Sequence, residues 1–130
     1  MRRAFFLTES DEHFMKSLHL PWETIADNGQ WILIHQFPIP PGYNQTKATI
    51  GVMIPPGYPV AQLDMAYIYP HLTRVDNFPI RALAPHSLDG KIFQRWSRHR
   101  TGENPWRPGV DDLSTHLAAI TIWFEKELKR

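Results

Sequence analysis

Proline placement sets the first limit on what this chain can become. Twelve of its 130 residues are proline, about twice the ordinary share. They gather at 38–41, 55–59, 79–85 and 105–108. Proline fixes φ and lacks a backbone N–H, so each cluster ends the regular element before it. What remains is a series of short elements joined by long corners. No polyproline tract, internal repeat or linker interrupts the series, so the expectation is a single domain over 1–130, long enough to bury about two thirds of its unfolded surface.

Each interval has its own period. Thr8 and Ser10 can cap a helix, Glu9, Asp11 and Glu12 suit its first turn, and Phe14, Met15 and Leu18 share a face. This predicts a short amphipathic helix ending before Pro21. Trp22 to Ala26 reads as a strand, and Asn28-Gly29 supplies a hairpin turn because both residues tolerate positive φ. Return strands follow over Trp31 to Phe37, Thr46 to Ile54 and Leu63 to Tyr69. Four consecutive strands with short connections predict an antiparallel meander. Pro70 to Lys91 shows neither period and is expected to form a functional loop over one face of the sheet. From Asp111 to Arg130, Leu113, Leu117, Ile120, Phe124 and Leu128 recur at helical spacing. The expected architecture is a two-layer α+β sandwich, a four-stranded meander packed against an N-terminal and a C-terminal helix.

Composition narrows the chemistry. Hydrophobic residues make up 42% and aromatics 12%, as in globular proteins. A net charge of +1 gives no basic field for phosphates, which argues against a nucleic-acid partner through Trp96, Trp106 and their neighbouring arginines. The chain has no cysteine, so thiolate catalysis, disulfides and cysteine-bound zinc are excluded together. His13-x-x-Lys16 and His116-x-x-Ala119 lack a zinc spacing, so no metal and no cofactor is expected. The apolar run after Arg2-Arg3 is too short for a signal core, and nothing nears the ~18 apolar residues of a membrane span. A cytoplasmic location is the expectation.

The order of motifs then points to a family. Gly51-Val52-Met53-Ile54 leads into Pro55-Pro56-Gly57-Tyr58-Pro59, a further strand, a long loop, and Asp89-Gly90-Lys91-Ile92-Phe93. This resembles the centre of a ubiquitin-conjugating enzyme, with Phe93 where the catalytic cysteine would stand. Either Pro85-His86-Ser87 or Pro70-His71 matches that family's His-Pro-Asn position. Trp96-Ser97-Arg98-His99 and Trp106-Arg107-Pro108-Gly109-Val110-Asp111-Asp112-Leu113 are more similar to one bacterial offshoot, the prokaryotic family E of ubiquitin-conjugating-like proteins. The resemblance runs from about Trp22 to Leu128. It implies a ubiquitin-conjugating-like fold with an active-site-type loop. It also implies work beside an activating enzyme, a ubiquitin-like protein (often in tandem copies) and a JAB-type metalloprotease.

Without a thiol, an acyl carrier of this kind must be a hydroxyl activated by a base. Ser97 with His99 two residues on is the first candidate, because both point the same way in an extended segment. Ser87 beside His86 and near Asp89 is the second grouping. Arg95, Trp96, Arg98, Arg100 and Trp106 are the expected partner-binding residues, the arginines suiting a carboxylate or an acidic surface. The alternative is a module of the same fold that binds a ubiquitin-like protein and forms no covalent intermediate.

Overall fold

The computed structural model describes all of residues 1–130. Helix α1 (Glu9–Ser17) starts at Thr8, whose side chain accepts from the Asp11 N–H. Strands β1 (Trp22–Ala26), β2 (Gln30–Pro38), β3 (Lys47–Ile54) and β4 (Ala66–Tyr69) follow. The segment expected to be a long loop instead holds β5 (Leu83–Leu88), which pairs with β6 (Lys91–Trp96). Helix α2 (Leu113–Glu127) closes the chain, its first turn fixed by a reciprocal capping box between Asp112 and Thr115.

The sheet therefore has six strands where the sequence suggested four, in the order β1-β2-β3-β4-β6-β5 and antiparallel throughout. The turn between β5 and β6 is Asp89-Gly90, with φ of 53° and 73°. Both values belong to the left-handed region that tight hairpin turns require. Pro85 breaks the strand pattern of β5, yet it is tolerated because β5 is an edge strand with a side that donates to no neighbour.

One face of the sheet carries the main core. Ile32, Ile34, Ile50, Val52, Ile68 and Trp96 pack there with Met15 of α1 and Leu117, Ile120 and Phe124 of α2. The alternate residues do not face water. Ile25, Trp31, Leu33, Tyr67, Leu88 and Phe93 form a second buried cluster. Trp31 of β2 lies 4.8 Å from the Tyr67 ring and 5.3 Å from that of His86 on β5. Three strands separate β2 from β5 in the sheet order, so the sheet coils until its far hairpin returns over its own second face. Gly51 makes room for that return: a Cβ there would meet the Leu88 side chain at 3.1 Å. Arg2 fastens it, donating to Asp89 at 2.9 and 2.7 Å and to Glu23 at 2.9 Å. No helix is long and apolar enough to cross a membrane.

Candidate functional site

The chain leaves β6 at Ser97, flanked by the starts of β5 and β4. Ser97 N–H donates to the Ala82 carbonyl at 3.0 Å, and Met65 N–H donates to the Arg98 carbonyl at 3.1 Å. Between them Arg98 N–H donates back to the Trp96 carbonyl at 3.0 Å, closing a three-residue turn centred on Ser97. The segment is thus not extended, and the geometry expected to point Ser97 and His99 the same way is absent. His99 Nδ1 instead lies 2.9 and 3.0 Å from the two carboxylate oxygens of Asp64. The Ser97 hydroxyl is half-buried and makes no hydrogen bond within the protein.

The expected partner-binding residues divide. Trp96 is fully buried and its Nε1–H donates to Gln94 Oε1 at 2.8 Å, so it packs the sheet on α2 and offers no surface. Arg98 is spent on Glu127, at 3.0 Å, and on the Arg81 carbonyl at 3.1 Å. Arg100 pairs with Asp111 at 3.2 Å and lies 5.3 Å from the centre of the Trp106 ring. Arg95 is half-buried, with its Nε unpartnered. Trp106 Nε1–H donates to the Pro59 carbonyl at 3.0 Å, and its ring lies 6.2 Å from Tyr58. Trp106 and Arg100 therefore form one partly exposed surface against the Tyr58-Pro59 corner, and His99, next to Arg100 in the chain, is held by Asp64. Exposed Val60 and Val110 sit next in the chain to that surface's corner contacts.

The Ser87 grouping does not assemble. Neighbours on a strand face opposite ways, and His86 turns towards Trp31 and Tyr67. Asp89 belongs to Arg2, whose guanidinium holds its carboxyl below the usual range. His71 Nε2–H donates to the Ile92 carbonyl at 3.2 Å, tying the corner after β4 to β6. Phe93, which the resemblance set where a conjugating enzyme has its cysteine, is only 2% exposed and belongs to the second cluster.

Two groupings escaped the sequence reading. Asp64 reaches His99 because β4 pairs with β6, a register that no local pattern announces. On β1, β2 and β3, Glu23, His35 and Thr49 join in a line: His35 Nε2 is 2.7 Å from Glu23 Oε2 and Nδ1 is 2.9 Å from Thr49 Oγ1. Arg2 and the desolvating sheet act oppositely on Glu23; the Arg2 hydrogen bond prevails and its pKa is held down to about 2. No group of three histidine, aspartate or glutamate side chains is placed to hold a metal ion.

The corner itself is anchored to both helices. Tyr58 donates its hydroxyl to Asp11 of α1, and Asp11 accepts from the Leu113 N–H that opens α2. Helix, antiparallel sheet, Tyr-Pro corner and closing helix define an α+β protein of the ubiquitin-conjugating-like kind. The sequence pattern of prokaryotic E2 family E matches residues 7–127, and the chain belongs to that family. The match takes in α1, which lay outside the resemblance seen in the sequence. No curated protein and no solved structure matches the chain.

Proposed function

We propose that this ubiquitin-conjugating-like protein receives a ubiquitin-like protein from an activating enzyme and holds it at the Trp106–Arg100 surface without a thioester. Phe93 carries the reading. The chain has no cysteine, and Phe93, the residue that the resemblance sets at a conjugating enzyme's cysteine, is a ring at 2% exposure. A JAB-type metalloprotease acts in the same pathway. The test mixes the purified chain, the activating enzyme, ATP and the ubiquitin-like protein, single or tandem, and follows complex formation by size exclusion and calorimetry. A stable complex, weakened roughly tenfold or more by Trp106→Ala, is the expected result for a central aromatic anchor. Failure to form a complex removes the function, and an indifferent Trp106→Ala removes the surface.

A specific observation favours a second reading, in which Ser97 carries the ubiquitin-like protein as an oxyester. Its hydroxyl is free of partners, and Asp64 fixes the His99 ring, two residues on in the chain, through Nδ1, leaving Nε2 without a partner in the protein. A hydroxylamine-sensitive adduct lost in Ser97→Ala supports it. An undiminished adduct in that variant sinks it.

A further inference from the structure

We infer that Thr49, His35 and Glu23 form a hydroxyl–imidazole–carboxylate relay that accepts an acyl group on the Thr49 oxygen. The three side chains come from adjacent strands and make the two hydrogen bonds that an activated hydroxyl needs, hydroxyl to imidazole at 2.9 Å and imidazole to carboxylate at 2.7 Å. Glu23 is ionised at neutral pH and can only accept, so the neutral His35 ring carries its hydrogen on Nε2. Nδ1 then presents a lone pair to the Thr49 O–H. The direction of the relay follows from the charge on the carboxylate.

The backbone is shaped around this imidazole. The β2–β3 register shifts between Ile34 and Phe37, and Gln36 adopts a φ of 59°. A bulge of this kind re-aims a side chain, and such bulges are over-represented next to active sites. His35 keeps a quarter of its side chain exposed and Thr49 is half-buried, so the relay opens to solvent. Tyr69 stands opposite Thr49 across the β3–β4 pair and Lys91 lies near its ring, so these two border the approach.

The reaction is acyl transfer from an activated donor of the thioester class. Thr49 Oγ attacks the carbonyl carbon and its proton passes to His35 Nδ1. The carbon–sulfur bond breaks, and the imidazolium returns the proton to the departing thiolate. A thioester and the threonine hydroxyl thus become a threonine ester and a free thiol, with no other reactant. Glu23 touches no reacting atom and is a positioning residue. Thr49 would give a chain without cysteine a second kind of acyl acceptor, independent of how the Trp106 surface engages a partner.

The test uses the full chain and p-nitrophenyl acetate. The expected result is a nitrophenolate burst with one acetyl group on the Thr49 peptide, removable by hydroxylamine as an ester. Thr49→Ser keeps the reaction, while Thr49→Val and His35→Asn slow it by roughly a hundredfold, the usual range for losing a nucleophile or its base. Glu23→Gln lowers the maximal rate and moves the midpoint of its pH profile, a shift that a smaller folded fraction, which only scales the rate, does not mimic. Melting curves confirm that each variant folds. Labelling confined to hydroxylamine-resistant amides, or a Thr49 ester formed equally well in His35→Asn, overturns the proposal. The probe contains no ubiquitin-like protein, so failure here and failure of the complex above are separate results.

Discussion

Two buried polar residues govern how this protein meets mutation and acid. Glu127 is 2% exposed and takes three arginines, Arg98 at 3.0 Å, Arg130 at 3.3 Å and Arg74 at 3.5 Å. Arg74 is itself buried and keeps Asp76 at 2.7 Å, so neutralising the Glu127 carboxylate removes one of its two counter-charges and the closest one of Arg98. Glu127→Gln is expected to cost about 1–3 kcal/mol, read as a fall in the urea midpoint at unchanged slope. His116 is the second. Burial, helped by Arg100, pushes its pKa down to about 4 from 6.5, while Nε2–H donates to the Met65 carbonyl at 2.9 Å. The folded ring stays neutral where the unfolded ring takes a proton. Stability from this group is therefore complete above about pH 6.5 and is lost as pH falls towards 4. The carboxylates held low by Arg2 and Arg74 titrate below that window. His116→Gln can keep the donor without titrating, and it should flatten the drop in stability between pH 7 and pH 5. An equal drop in both proteins would assign the acid slope elsewhere.

At the scale of elements, the β5–β6 hairpin decides what the protein can and cannot do. Phe93 fills the second cluster from β6, and its truncation to alanine is expected to cost about 3–5 kcal/mol. Phe93→Cys would place a thiol in this cluster, and it should stay unreactive to a disulfide reagent until the protein is denatured. Rapid labelling of the folded variant would show that the position is accessible after all. The helices were legible in the sequence because their signals are local: Thr8 as a cap, and Leu113, Leu117, Ile120 and Phe124 at helical spacing. The first four strands were legible from their apolar runs and from Asn28-Gly29. Strand β5 was not, since Leu83-Ala84-Pro85-His86-Ser87-Leu88 shows no alternation and contains a proline that only an edge position permits. Asp89-Gly90 did carry a hairpin signal, which the family motif overlapped. The pairs Asp64–His99 and His35–Thr49 depend on which strands lie together and in what register, and on a bulge, none of which is written in a local pattern.

For the whole molecule, the decisive property is how little of the sheet's surface stays open. α1 and α2 cover one side and the returning hairpin fills much of the other, so a partner must use corners, loops or the half-open part of the second face at His35 and Thr49. What holds the return closed is partly hydrophobic and partly the ion pairing of Arg2 with Asp89 and Glu23, joined by the Asp89 N–H that donates to the Asp27 carboxylate at 2.8 Å. The two contributions respond differently to perturbation. Arg2 has about half of its side chain exposed, at 53%, so its pairs are screened by salt and add little to global stability. The buried cluster beneath sets the global value. Arg2→Ala should therefore leave the melting temperature nearly unchanged while amide exchange at Leu88, Lys91 and Phe93 speeds up, because local opening is controlled by the contacts at the hairpin tip. Added salt should produce the same acceleration in the unsubstituted protein and almost none in Arg2→Ala. If exchange in the hairpin is instead insensitive to both, the hydrophobic cluster alone keeps the second face shut, and Arg2 serves only to hold Glu23 ionised beside His35.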